Sequence, residues 1–317
     1  MNVAYVLPLQ RAWARAVRML FRPFRLEMWL VLGFAAFLSE YLSGGFGGGG
    51  GRYTWHDGDW EGAGHVLRRL EDFLAEPIWV TVAVAVVVTI VVLGLLFMWI
   101  SSRGKFIFLD NVAHERRGIV EPWGRLARLG NSLFLWRLVF SLACLLVAGL
   151  IVVLFILNVG TLYSEGHFHL PQLGAILGLL AMLAPLGIVA AYIQLFLFDF
   201  VVPVMYRHDL TASAAWQRFM PLFRAHAGSF IVYGLFVLVL WIGVVIAIIT
   251  VGMMTCCVGF ILLALPYIGS VLLLPLGVTF RALGPEFLGQ FGPDYAVLAA
   301  SAVPAAPAPA PGGGPTT

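Results

Sequence analysis

Charge is what this sequence has least of: 35 of its 317 residues carry it, 19 basic and 16 acidic. A water-facing domain carries roughly a quarter charged residues, and a chain with 11% cannot cover such a surface, which excludes a soluble enzyme. A hydrophobic content of 61% and a mean hydropathy of +0.95 exclude disorder for all but short pieces, because apolar content this high drives burial. The three cysteines, Cys144, Cys256 and Cys257, lie in or beside apolar runs. An odd number with one vicinal pair gives no disulfide framework, so they serve as small apolar residues. Lysine is nearly absent: Lys105 stands alone among the basic residues, the other 18 being arginine. With the alanine, glycine and proline content, that points to a GC-rich genome and carries no mechanism. A net charge of +3 is too small to suggest a nucleic-acid partner. No G-x-S-x-G, H-E-x-x-H, P-loop or strand-to-helix G-x-G-x-x-G occurs, nor any paired His, Asp or Ser constellation. The chain is therefore expected to be no enzyme, with no catalytic residue, cofactor or resident metal.

What the sequence does have is long uncharged runs. A helix crosses about 30 Å of hydrocarbon with about 20 apolar residues. Uncharged runs extend over 77–102, 138–164 and 170–198. The run 227–280 holds 54 residues, enough for a hairpin of two crossings, interrupted by Gly252, Thr255 and Gly259. A shorter run, 28–39, becomes a sixth helix if Arg25 and Glu27 sit at one interface and Glu40 at or near the other. The expected fold is all-α: a polytopic membrane bundle with transmembrane helices at about 25–43, 77–101, 134–158, 171–198, 228–250 and 258–281. Five arginines spread from Arg11 to Arg25, with no cleavage pattern after them, do not read as a secretory signal.

Orientation follows from the positive-inside rule. With the N-terminus cytoplasmic, 16 of the 19 basic residues fall inside, leaving only Arg52, Arg68 and Arg69 outside. Both ends are then expected in the cytoplasm, with residues 1–285 forming one integral membrane domain and 286–317 a disordered cytoplasmic tail rich in Pro, Ala and Gly.

The chain also echoes itself. Trp13-Ala14-Arg15, Trp123-Gly124-Arg125 and Trp216-Gln217-Arg218 share a W-x-R core, with Met19, Leu129 and Leu222 at the same later offset. Each precedes an apolar run, so the chain reads as three repeats of an interfacial amphipathic helix (about 9–23, 119–130 and 212–224) plus a transmembrane hairpin. Phe106-Ile107-Phe108-Leu109-Asp110 and Leu195-Phe196-Leu197-Phe198-Asp199 form a second echo. In the first repeat Arg11, Arg15, Arg18 and Arg22 recur at helical spacing, opposite Trp13, Val17, Leu20 and Phe24. Such a helix is suited to lie on a cytoplasmic leaflet of anionic lipids. Trp13, Arg15, Arg18, Arg22, Trp123, Arg125, Trp216 and Arg218 are the expected interface anchors. Thr211 or Ser213 is placed to cap the third such helix.

A charge in the hydrocarbon needs a reason, since it costs roughly 2.5–3.5 kcal/mol at the helix centre. Glu27 and Arg137 occupy one slot of the repeat, where Phe230 stands in the third copy; they either snorkel to the inner interface or pair with each other. Glu40 marks the outer end of a short helix, or a proton or cation site if that helix is longer. Asp110 and Asp199 stand at inner helix ends, where they cap or meet loop arginines. Gln194 is a further polar group within an apolar run. Pro185, Pro203 and the glycines of the fourth helix read as packing features.

The outer loop 43–76 starts with a Gly-rich linker. Asp57-Gly58-Asp59-Trp60-Glu61-Gly62 opens like a calcium loop, but the twelfth position is Arg68 instead of the required Glu. Residues 65–76 have helical spacing. His56, His65, Glu165, His167 and His169 share the outer side and would suit zinc or copper only if their loops met.

On the W-x-R repeats, the Asp110 and Asp199 helix ends and the Gly-rich first loop, the chain resembles uncharacterised bacterial six-helix membrane proteins, a grouping that includes the membrane domain of glycerophosphoryl diester phosphodiesterases. The resemblance spans about residues 8–285. It implies a multi-pass protein of the bacterial cytoplasmic (inner) membrane. It transfers no catalytic residue, because that family's activity resides in a separate soluble barrel with no counterpart here. Two functions remain: a non-enzymatic scaffold or envelope and lipid-homeostasis factor, in contact with the bilayer and with a protein partner or a second copy; or a transporter or channel for a small or lipidic solute. A continuous polar cavity reaching Glu40 and Gln194 would favour the second.

Single cysteines introduced at position 52 and at position 10, each in a cysteine-free background, test the orientation. An impermeant thiol reagent applied to spheroplasts should modify the first and spare the second; the reverse pattern would overturn the assignment.

Overall fold

The computed structural model describes residues 3–22, 24–41, 77–115, 118–162, 171–255 and 258–298. Among these the chain is helical throughout, with one isolated bridge, Phe21 to Phe24. The helices are α1 (Val6–Phe21), α2 (Leu26–Ala36), α3 (Pro77–His114), α4 (Val120–Arg125), α5 (Ala127–Leu162), α6 (Pro171–Phe196), α7 (Val202–His208), α8 (Ala212–Ala225), α9 (Ala227–Met254), α10 (Val258–Ala264), α11 (Pro266–Leu272) and α12 (Leu274–Leu288). Two π-helical segments, Phe37–Tyr41 and Leu197–Val201, extend α2 and join α6 to α7.

Among the described residues four stretches are long and apolar enough to cross a membrane: Val80–His114, Ala127–Leu157, Leu177–His208 and Ala227–Met254. The apolar portions of the first two are unburied, whereas Leu177–His208 is nearly half buried; Val86, Val87, Val88, Ile90, Val91 and Val92 of α3 are each more than half exposed. Such a surface is stable against lipid chains and not against water. Packing is concentrated elsewhere. The buried residues cluster on α1, on 101–113 of α3, at the start of α5, across the second π segment and α7, on α8, and along α12.

Several expected boundaries differ. The crossing expected at 258–281 is three consecutive helices, because Pro266 and Pro275 have no N–H to donate and clash with the preceding turn. The helix expected at 25–43 is an eleven-residue α-helix plus the first π segment. The interfacial helix expected at 119–130 is shorter, α4 ending at Arg125 and α5 starting at Ala127. Conversely, α3 runs well past residue 101 through Arg103, Lys105 and Asp110, since that stretch is buried against neighbours that take up its charges. The other two expected interfacial helices coincide with α1 and α8. Residue 211 is the N-cap of α8 but makes no side-chain cap; the Ala212 N–H donates to Ser132 Oγ of α5 at 3.0 Å.

The start of α1 and the end of α12 meet in this packing. Helix α1 lies along α12 in the most extensive contact between helices. Tyr5 stacks on Phe287 with centroids 5.7 Å apart. The Gln290 amide brackets Ala4, accepting from its N–H at 3.0 Å and donating to its carbonyl at 2.9 Å. An aromatic core fills the middle: Phe200 meets Phe230 at 5.0 Å and Tyr233 at 4.9 Å, and Tyr233 meets Phe287 at 4.5 Å. Phe230 is fully buried there, where an aromatic ring fits and a charge would not.

Candidate functional site

The polar residues converge on the second π segment, and its backbone shows why. The Val202 N–H bonds the Leu197 carbonyl, five residues back. In that register the next donor, to the Phe198 carbonyl, would be residue 203, but Pro203 has no N–H. Arg281 of α12 takes the vacant role: its Nη1 donates to the Phe198 carbonyl at 3.3 Å and its Nη2 to the Lys105 carbonyl at 2.7 Å. One guanidinium thus clasps α3, the π segment and α12. Gly284 permits the approach, since a Cβ there would lie 2.5 Å from the Asp199 carbonyl oxygen. Asp199 accepts the Tyr233 hydroxyl at 2.8 Å.

Two more cations gather on the same ring. Lys105, 1% exposed, places Nζ 3.9 Å from the Phe198 centroid, and the Arg137 guanidinium lies 5.3 Å from it, both within cation–π range. Arg137 also donates to Ser102 Oγ at 3.0 Å and Ser101 Oγ at 3.5 Å. Ser101 in turn donates to the Ser39 carbonyl at 3.1 Å, and a Cβ at Gly104 would lie 2.9 Å from the Leu38 backbone. The first π segment is thereby pressed onto α3 beside the cations.

Asp110 centres a neighbouring set. It is 4% exposed and accepts from Arg125 Nη2 at 2.7 Å and from the Tyr206 hydroxyl, with His114 Nδ1 3.5 Å away. Asn111 reads the Gly118 backbone twice, at 3.0 Å each. Arg128 bonds the carboxylate and carbonyl of Asp209, a residue at left-handed φ of 51°; the guanidinium holds the Asp209 carboxyl below its ordinary range.

A third set locks α1. Arg15, 2% exposed, lies 3.6 Å from both Glu286 and Glu115, and Arg18 lies 3.4 Å from Glu115. Burial pushes the Glu286 carboxyl above its ordinary range, against the pull of Arg15, Arg11 and Arg18.

The expected anchors divide accordingly. Trp13 is about half exposed, and Arg22 and Arg218 are exposed. Arg15 is instead buried, because two carboxylates offer it partners that a headgroup layer would not need to supply. Arg125 reaches Asp110 while half exposed. Trp123 forms a cage with Trp99 around Arg103, whose guanidinium lies 4.3 Å from Trp99 and 5.4 Å from Trp123. Trp216 stacks on Trp136 at 5.6 Å. Glu27 is exposed near the start of α2. Glu40 belongs to the first π segment, its side chain outside the described residues. The outer loop 43–76 with its calcium-like stretch and histidines, Glu165, His167 and His169, Cys256, Cys257 and residues 299–317 also lie outside the described residues. Among the described residues no three His, Cys, Asp or Glu side chains are grouped to hold a metal.

Two of the cavities among the described residues flank the long helices. One, of about 620 Å³, lies between α9 and the broken segment and is lined by apolar residues such as Leu240, Val244, Leu263 and Leu276. The other, of about 550 Å³, lies between α5 and α6, where Gln194, Ser141 and Cys144 interrupt an apolar wall.

Comparison with known proteins places residues 5–306 in a family of unknown function, DUF7544, to which the chain belongs. No curated protein and no solved structure matches it. The comparisons connect the chain to that family and not to the phosphodiesterase membrane domains.

Glu286 supplies a pH test. A carboxyl raised above its ordinary value of 4.5 contributes stability that is present below that value and lost as pH rises through the raised one. The melting temperature of the detergent-solubilised Glu286→Gln variant, relative to wild type, should therefore improve as pH is raised from 4.5 towards neutrality. A difference independent of pH, or one that worsens, would contradict the assignment.

Proposed function

We propose that this family member is a six-crossing protein of the bacterial cytoplasmic membrane, with both ends in the cytoplasm. It acts without catalysis of its own, as a scaffold or as an envelope and lipid-homeostasis factor. The observation that carries the reading is where the polar groups go. Arg281, Arg137, Arg15, Asp110, Asp199 and Tyr233 bond to backbone carbonyls, hydroxyls and charges of neighbouring helices. These bonds tie elements together, whereas a solute path needs polar groups facing a shared space. The walls of the two cavities described above are apolar apart from Ser141, Cys144 and Gln194.

Its partners in this reading are the bilayer, with anionic lipids at the cytoplasmic leaflet, and a protein partner or a second copy. Arg22 and Arg218, exposed beside α1 and on α8, are the residues best placed for headgroups, each contributing about 1 kcal/mol near an anionic surface. The three-repeat architecture accords with the shared chemistry of Asp110 and Asp199, each accepting a tyrosine hydroxyl.

One observation favours a transporter or channel as the second reading. The segment from α10 to α12 is broken at Pro266 and Pro275, and discontinuous helices build binding sites in many transporters.

Reconstitution separates the two. Proteoliposomes of the full chain should show no more flux of protons, alkali cations or small organic ions than protein-free liposomes, while a deletion strain shows altered envelope integrity that Arg22→Gln plus Arg218→Gln restores poorly. Flux above the liposome control would favour the transporter.

A further inference from the structure

Trp99 and Arg103 of α3 meet Asn131 of α5 where two exposed apolar stripes end. On α3, Val92, Leu95 and Leu96, one and two turns before Trp99, are exposed; on α5 so is Leu135, one turn beyond Asn131 and on its face of the helix. Arg103 stands six residues past the exposed Phe97, about 9 Å further along the helix axis. Tryptophan is enriched at that depth, where hydrocarbon gives way to headgroups, and Trp99 and Trp123 meet there edge to face, their centroids 6.1 Å apart.

Asn131 Oδ1 accepts three donors: Trp99 Nε1 at 3.1 Å, Arg103 Nε at 3.3 Å and Arg103 Nη2 at 3.1 Å. Three donors around one oxygen settle which end of the carboxamide is which. Asn131 Nδ2 and Arg103 Nη1 make no hydrogen bond among the described residues. Arg15, Arg18, Arg125 and Arg128 each pair with a carboxylate. Arg103 pairs with none among the described residues; an amide and two indole rings hold it, and all three are neutral. Its stem is fixed as well, because a Cβ at Gly130 would lie 2.6 Å from Arg103 Cγ. The result is a positive charge that is held in place and uncompensated, and a guanidinium so held gives up little freedom on meeting an anion. The pair is also open to an occupant, Asn131 being exposed and Arg103 partly so.

We propose that Arg103, Asn131, Trp99 and Trp123 form a site for an anionic phospholipid of the cytoplasmic leaflet. The phosphodiester accepts from Arg103 Nη1 and Asn131 Nδ2, and an acyl chain runs along Val92, Leu95 and Leu135. One uncompensated cation calls for a head with a net negative charge, because the ammonium of a zwitterionic head would meet the charge of Arg103 itself. The site rests on the reading of the bilayer as this chain's partner and of the inner ends of α3 and α5 as cytoplasmic. It serves a scaffold and a transporter alike.

The test uses the full chain purified in detergent and offered dioleoyl phosphatidylglycerol or dioleoyl phosphatidylcholine, with native mass spectrometry and melting temperature as readouts. The two lipids share chains and a phosphate and differ in the ammonium that cancels its charge. Wild type should retain one phosphatidylglycerol per chain about tenfold more tightly than phosphatidylcholine. Excess inorganic phosphate, which lacks the chains, should not displace it. Asn131→Asp keeps an acceptor for Trp99 and Arg103 but supplies the missing negative charge and removes Nδ2; it should melt no lower than wild type without lipid and lose the preference. Arg103→Met should lose the preference by a second route. If Arg103 only braced α3 against α5, the preference would survive Asn131→Asp. That survival, equal retention of the two lipids by wild type, or displacement by inorganic phosphate would overturn the site. Bilayer contact through Arg22 and Arg218 would then still stand, since it involves other arginines.

Discussion

The rest of the packing depends on a single guanidinium. Arg281 meets two carbonyls from different helices, and one of them, at Phe198, has lost its backbone donor to Pro203 and the π register. A carbonyl without a donor is costly in an apolar interior, and so is a cation without acceptors. Each removes the other's penalty. Gly284 then seats α12 against Asp199, Phe198 becomes the ring on which Lys105 and Arg137 rest, and α1 packs along α12 through Arg15 and Glu286.

This arrangement divides the molecule into two kinds of surface. Where the charged and aromatic residues gather, helices pack with buried cores. Along the apolar runs, side chains face outward and the helices touch one another sparingly. Without a hydrophobic driving force between helices in lipid, association has to come from close packing and polar bonds. The polar layer supplies those bonds, leaving the apolar runs free to part, as α5 and α6 do around Gln194. The helices are therefore held at one layer and separable at another.

Much of this was legible in the sequence, and what was not has physical reasons. The uncharged runs identify the long helices because lipid imposes length and composition together. Asp110 was legible as a partner for arginine, and Arg125 of the W-x-R motif is that partner. Arg15 was misplaced because helical spacing shows which residues share a face but not which carboxylates await them; Glu286 and Glu115 are far along the chain. Lys105, Arg281, Tyr206 and Tyr233 were missed for the same reason. Two signals were nonetheless present: Lys105 is the single lysine, and Pro203 stands five residues after Phe198, the spacing at which a π register leaves a carbonyl bare. Pro266 and Pro275 also announced breaks in the last apolar run, though mean hydropathy over the run concealed them.

Arg281 compensates for the donor missing at Pro203, and a double-mutant cycle measures that compensation. Arg281→Met is made in wild type and in Pro203→Ala, which returns an N–H to the Phe198 carbonyl, and the unfolding free energies of the four proteins are compared in detergent. Losing Arg281 should cost less in the Pro203→Ala background, by about 1 kcal/mol. Additive effects, with the same cost in both backgrounds, would contradict it.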